Sequence, residues 1–491
     1  MNIWNVCSFI LIVVGSSVAM ADITVDRMFS DHMVLQQKST VSISGTTTSD
    51  KGVRITFNNQ TVEATSDTNG RWRAALETPE AGGPYTIEIS ENGGDPKIVL
   101  EDILIGEVWI CSGQSNMEWP VERAAFPERE IDGSTDFPQI RLFTVERNPS
   151  IEPVSELTKA SGWNVCNPES VRSFSAVAYF FGRKLNSELN VPIGLVQTCW
   201  GGTRVEAWTS MDALTDCDVA KPMIEHWNTQ RQDQPLNQNR PANLYNGMIA
   251  PLIGLKFRGA IWYQGEGNVG RGAQYKTLFP LMIKNWREKL NQGHSFPFLF
   301  VQLAPFRYRD RDPSAMAEIQ EAQFETLRND PDTGMAVTTD IGNVGDIHPK
   351  NKQDVGSRLA LWALGGCYAD WNKALTPDAG KVPSGPLYRE KSVNDNKIVI
   401  HFDYVGDGLK SSNGQALSDF MIAGEDGKFV EANAEIDGNT VLVWSDQVSN
   451  PVDVRFGWLD TAQPNLINSV DLPASPFRTD NQPLLSENVF F

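Results

Sequence analysis

Ser115 stands in the stretch Gly113-Gln114-Ser115-Asn116-Met117, directly after an apolar, β-branched run over residues 103–111. That run predicts a buried strand. The turn that follows contains a glycine, and a helix is expected over 116–122. A sharp strand-to-helix turn lifts a serine clear of the sheet edge, where its hydroxyl can act as a nucleophile. The first turn of the helix adds free N–H groups that can hold an oxyanion. A lone Gly-x-Ser is common in loops, so the reading needs partners elsewhere in the chain.

A serine nucleophile needs a base and a group to orient that base. The chain has five histidines. His32 falls in a β-rich N-terminal region, His401 falls inside a late strand, and His226 and His294 lie in polar segments. His348 differs, because Thr339-Asp340-Ile341-Gly342-Asn343-Val344-Gly345-Asp346-Ile347-His348-Pro349 follows directly on a core strand. Pro349 suits the first turn of a helix running to 364, which would put His348 at the helix start. Open α/β sheets place their active sites at such strand ends. Asp346, two residues before His348, is the favoured orienting acid, and Asp340 at the strand end is the rival. Either could instead be a turn former or helix-capping acid.

Two more strand ends reach the same edge. Trp200-Gly201-Gly202-Thr203 offers backbone N–H groups that glycine allows close to a ligand. Tyr263-Gln264-Gly265-Glu266-Gly267-Asn268 offers a side-chain amide. With the N–H of Ser115 these form a candidate oxyanion hole. Each loop alone reads as a tight turn, and the joint occurrence of four such loops after core strands is the informative signal.

The elements that position these loops fall into three regions. Residues 22–100 carry alternating strands separated by turns and suggest a small sandwich. From 101 to 372 strands and helices alternate, which indicates a doubly wound parallel sheet. Strands are expected over 140–144, 193–199, 259–263, 298–303 and 335–339, and helices over 171–189 and 275–290. The polar stretch 212–240 reads as a surface excursion. Residues 373–491 return to strand patterns and form a second β region.

Composition narrows the function class. The 491 residues carry 42 Lys and Arg against 61 Asp and Glu, a net charge of -19. Such a chain is not built for nucleic acid or anionic membrane. Residues 1–21 read as a cleavable secretory leader ending in Ala19-Met20-Ala21, so a secreted or periplasmic location is expected. No later stretch is apolar enough for a membrane span. The five cysteines left after cleavage are an odd number, so at least one thiol stays free. Cys111 and Cys199 read as buried hydrophobes, and Cys166 and Cys217 as loop residues able to pair. No Cys/His spacing suggests zinc.

Taken together, Gly113-Gln114-Ser115-Asn116-Met117, Trp262-Tyr263-Gln264-Gly265-Glu266 and Asp346-Ile347-His348-Pro349 resemble the SGNH hydrolases, specifically the sialate O-acetylesterase family. Trp200 to Trp208 and Leu472 to Asp480 add to the likeness, which spans essentially the whole mature chain. The resemblance implies an SGNH-type, flavodoxin-like three-layer α/β unit flanked by β-sandwich-like domains. It implies Ser115 as nucleophile, His348 as base, and Gly201 or Gly202 as an oxyanion donor. Gly267 stands where the family usually has an asparagine donor, so Gln264 is the substitute. Gly345 stands where the family usually has its acid, three residues before the histidine. The acid is therefore Asp346, Asp340, or absent from a Ser–His dyad. Arg204 and Glu266 are the candidate substrate-binding residues, Arg204 for a carboxylate. The implied activity is removal of O-acetyl groups from sialic acid with no metal or organic cofactor. The alternatives are an acetyl esterase for another acetylated sugar such as acetylxylan, and a non-catalytic carbohydrate-binding protein.

Overall fold

The strand Lys97–Gly113 organises the molecule. Its first residues alternate between exposed and buried, and its last eleven are all buried. The first part pairs antiparallel with Gly82–Glu91, as a half-exposed strand does. The second part lies between Ile193–Cys199 and Gly259–Tyr263, parallel to both and covered on both faces. The change of pattern near residue 101 therefore occurs inside one continuous strand. The structure is a computed structural model that describes residues 23–94, 97–290, 296–369 and 382–489. The expected leader, 1–21, lies outside the described residues.

The central sheet runs in the order Ala160–Val165, Ile140–Val145, Ile193–Cys199, Lys97–Gly113, Gly259–Tyr263, Phe298–Val301, Thr333–Ala336. All neighbours are parallel except the first pair. The protein is thus α/β with a parallel central sheet, as the alternation of patterns predicts. Ala176–Leu189 packs against Lys352–Gly365, and Gly272–Lys289 against Ala315–Asn329. Chain crossovers on either side of the central strand leave Ser115, Trp200, Gln264 and the 337–351 loop at the C-terminal edge of the sheet, where ligands bind in such folds.

The N-terminal strands share their core with this sheet: Ile43, Ile55 and Trp72 belong to the same buried cluster as Ile110, Leu195 and Ile261. The C-terminal strands enclose a separate cluster that includes Ile400, Phe420, Val443 and Phe477. Arg478 joins that unit to Glu321 of the Ala315–Asn329 helix at 2.6 Å.

Several expected boundaries move. The helix expected over 171–189 is two helices, Pro168–Arg172 and Ala176–Leu189, because the Ser175 side chain caps the second by accepting the N–H of Ala178. The helix expected over 116–122 is one turn, Ser115–Glu118, since Pro120 drives Trp119 out of the helical region. The helix expected to begin at Pro349 begins at Lys352, where Asn351 accepts the N–H of Asp354. The strands expected over 298–303 and 335–339 are Phe298–Val301 and Thr333–Ala336. The 212–240 excursion contains the helices Met211–Thr215 and Lys221–Gln230. Cys166 and Cys217 are not paired, and Cys166 is buried rather than in an open loop.

Candidate active site

Gly113 ends the central strand with φ 138°, and a Cβ there would collide with the Tyr263 carbonyl. Only glycine fits this turn. Gln114 follows as helix N-cap and Ser115 as the first helical residue. The Gln114 side chain is not free: its oxygen accepts the N–H of Gly267 at 3.1 Å, which ties the nucleophile turn to the loop after Gly259–Tyr263.

Ser115 and His348, 233 positions apart, meet with Oγ and Nε2 at 2.8 Å. The His348 loop is fixed from several sides. Asp346 Oδ1 accepts the backbone N–H of His348 at 2.9 Å. Asn116 Nδ2 donates to the Ile347 carbonyl at 2.9 Å, and the Ala125 N–H donates to Lys350 O at 2.8 Å. The indole of Trp119 stacks on the imidazole, with centroids 4.7 Å apart and planes 14° apart.

Neither candidate acid touches the imidazole. Asp346 Oδ1 holds the backbone of its own turn, and the carboxylate makes no hydrogen bond to the ring. Asp340 is held by Arg358 through two bonds of 2.6 Å, so the rival acid is a structural ion-pair partner. Among the described residues, Ser115 is the only hydrogen-bond partner of the His348 ring.

Two oxyanion expectations are corrected. The Gly201 N–H donates to Glu118 Oε2 at 2.9 Å and so is engaged. Gln264 is fully buried, and its amide nitrogen donates to Thr203 O at 3.1 Å and Asn268 Oδ1 at 2.7 Å. Asn268 in turn binds Glu206, so neither amide reaches Ser115. The backbone N–H groups of Ser115 and Gly202 have no partner among the described residues, and Gly202 sits at φ 72°.

Glu266, expected to touch substrate, is half-buried and has its carboxylate in a hydrogen-bonded relay. Its Oε1 accepts Asn116 Nδ2 at 2.6 Å, its Oε2 is buried without a partner, and Lys352 Nζ donates to Asn116 Oδ1 at 2.5 Å. Burial raises the Glu266 carboxyl above its usual range. Burial also pushes the Lys352 ammonium down to about 7. His348 is lowered below the ordinary imidazole value, first by burial and then by the Lys352 charge, with Asp346 opposing.

Arg204 is half-buried and makes no ion pair among the described residues. The nearby carboxylate of Glu206 is 2 % exposed and pairs with Arg271 at 2.8 Å. Burial and then the charge of Arg271 lower the Arg204 guanidinium, Glu206 opposes them, and Arg311 and Arg231 add to the lowering. Arg204 therefore stands among like charges near the Gly201–Gly202 loop.

Sequence reasoning missed Trp119, Glu118, Asn116 and Lys352. Asn116 and Trp119 follow the nucleophile by one and four residues, and Lys352 lies four residues after His348. No spacing rule assigned them a role, because their partners lie far away in the chain.

A family model described as carbohydrate esterase, sialic acid-specific acetylesterase, matches residues 105–364. Sialate O-acetylesterase of Homo sapiens is 31% identical over 367 residues, 70% of this chain and 67% of its own. That of Mus musculus is 31% identical over 356 residues, 63% of this chain and 66% of its own. The match thus spans about two thirds of these relatives. A solved carbohydrate acetylesterase from Xanthomonas citri is similar over 94% of this chain and 100% of its own, with 35% identity and a TM-score of 0.83.

Proposed function

The chain belongs to the carbohydrate esterase family of sialic acid-specific acetylesterases, and we propose that it removes O-acetyl groups from sialic acids with Ser115 as nucleophile and His348 as base. The observation that carries this reading is the 2.8 Å approach of His348 Nε2 to Ser115 Oγ at the first residue of a helix. The protein is a carboxylic ester hydrolase. In this reading the catalytic machinery belongs to the parallel sheet and its helices, whose central strand Lys97–Gly113 also carries the N-terminal β strands, and the C-terminal strands form a flanking β unit.

His348 carries its proton on Nδ1 and presents the Nε2 lone pair to Ser115. Nε2 takes the hydroxyl proton as Oγ attacks the acetyl carbonyl. The oxygen charge that develops is met by the N–H groups of Ser115 and Gly202. The tetrahedral intermediate collapses, the sugar C–O–acyl bond breaks on the acyl side, and Nε2 returns the proton to the sugar oxygen. A water molecule then gives its proton to Nε2 and attacks the acetyl-serine. Acetate leaves and Ser115 regains its proton.

Arg204 supports an anionic substrate. In a chain of net charge -19, a half-buried guanidinium that makes no ion pair among the described residues, with Glu206 already bound by Arg271, suits the sialic acid carboxylate. No helix among the described residues is long and apolar enough to cross a membrane. Residues 1–21 are, in this reading, a leader that directs the protein to the periplasm or the exterior, with cleavage after Ala21.

The test is acetate release from a panel containing O-acetyl sialic acids, acetylated xylan and an aryl acetate. The reading expects hydrolysis of the aryl acetate and the sialic acids. Release from xylan alone would transfer the assignment to a neutral polysaccharide, and no release from any would leave a carbohydrate-binding protein.

A further inference from the structure

Resting on the assignment of Ser115 and His348 above, we propose that Trp119 is the positioning residue for the catalytic imidazole, taking over the orienting and cation-stabilising part of the role that a carboxylate has in a Ser-His-Asp triad. A carboxylate in such a triad fixes the tilt and tautomer of the ring and favours the imidazolium that forms during the reaction. No carboxylate reaches the His348 ring among the described residues. Asp346 holds the backbone N–H of His348, and Asp340 holds Arg358. The group lying flat against the ring is the indole of Trp119, 4.7 Å away and 14° from parallel. An aromatic face attracts a cation, so the stack favours the imidazolium as charge develops. It also bars the ring from rotating away from Ser115.

Such a role requires the indole itself to be held. Its Nε1–H donates to Arg123 O at 3.0 Å, and the Trp119 carbonyl accepts the Ala176 N–H at 2.9 Å. Pro120 forms a bridge with Ser175, which keeps the segment against the Ala176–Leu189 helix. The support therefore comes from an element outside both catalytic loops, as a rigid positioning group needs. The charged groups nearby are few. Lys352 and Asp346 act on the imidazole with opposite signs, and the Arg123 guanidinium lies 5.8 Å from the indole centroid. Glu118, next in the chain, is occupied by Arg147 and the Gly201 N–H. None of these orients the ring.

The experiment compares Trp119→Phe and Trp119→Leu with the intact protein on an aryl acetate, recording kcat, KM and Tm. Ser115→Ala is run alongside. With Trp119→Leu, kcat should fall about 10- to 100-fold, the size of a misplaced catalytic group, while KM stays within about threefold. Trp119→Phe keeps a ring on the imidazole and should recover to within about fivefold of wild type. Leucine with kcat within about threefold of wild type, or phenylalanine no better than leucine, would overturn the proposal. A second measurement does not depend on the variants. Proton NMR of the wild-type protein should show no strongly downfield Nδ1–H resonance of the kind a carboxylate-bound imidazole gives, and finding one assigned to His348 would also overturn it. Activity surviving in Ser115→Ala overturns the site assignment itself, and the inference with it.

Discussion

Asp340 and Arg358 form a two-bond ion pair, 2.6 Å at each oxygen, that clamps the segment after strand Thr333–Ala336 to helix Lys352–Gly365. Arg358 also donates to the Val337 carbonyl at 2.7 Å and is largely buried. Asp340 is thereby committed to architecture. Asp340→Asn should cost about 1–3 kcal/mol, the effect of weakening a charged, partly buried hydrogen bond. The folded variant should keep kcat within about threefold, since no chemistry passes through this pair. Thermal unfolding and kcat together check this, and a large loss of kcat at unchanged Tm would contradict it.

Asp346 acts on the backbone of the His348 turn. An asparagine oxygen can accept the same N–H, so Asp346→Asn should lower kcat by less than about tenfold. Changing a true triad acid to its amide costs about 10⁴-fold. Steady-state kinetics of Asp346→Asn therefore separates the two roles by orders of magnitude. Asp346→Ala removes the acceptor and should be the more damaging of the two.

The pH dependence follows from His348 and Lys352. The base works only when neutral, so activity falls as pH drops through the His348 pKa. Burial and the Lys352 charge hold that pKa below the ordinary histidine value, so the acid limb of kcat/KM should lie below it. Lys352→Gln removes the neighbouring positive charge, which disfavours the imidazolium. The His348 pKa then rises, and the acid limb moves to higher pH. A limb that stays put, or moves to lower pH, would show that Lys352 does not act on the base.

Arg204 should matter for an anion and not for a neutral ester. Arg204→Ala is expected to raise KM for O-acetyl sialic acid about tenfold or more, the scale of losing one charge-assisted contact. Turnover of a neutral aryl acetate should stay within about twofold. Equal losses on both substrates would make Arg204 a structural residue.

Much of this architecture is legible in the chain because local patterns carry it. The strands Ile193–Cys199 and Gly259–Tyr263 match the expected ranges, being apolar runs closed by Trp200-Gly201-Gly202 and by Gln264-Gly265. The approach of Ser115 to His348 is also foreshadowed, since both follow core strands that end at one edge. What stays hidden depends on pairing in three dimensions. Gly201 reads as an open donor until Glu118, 83 positions away, takes its N–H. Gln264 reads as a free amide because nothing in Gln264-Gly265-Glu266-Gly267-Asn268 shows that Asn268 folds back onto it. The change of pattern at 101 reads as a boundary because a strand that passes from half-exposed to fully buried changes its period without ending.

The most direct test of the account is the rate of acetate release from an O-acetylated sialic acid by the wild-type protein and by Ser115→Ala, with folding checked by circular dichroism. The account predicts clear release by the wild type and a loss of about 10³-fold or more in the variant, the range for removing a catalytic serine. A properly folded Ser115→Ala protein that releases acetate within about tenfold of the wild-type rate would contradict it.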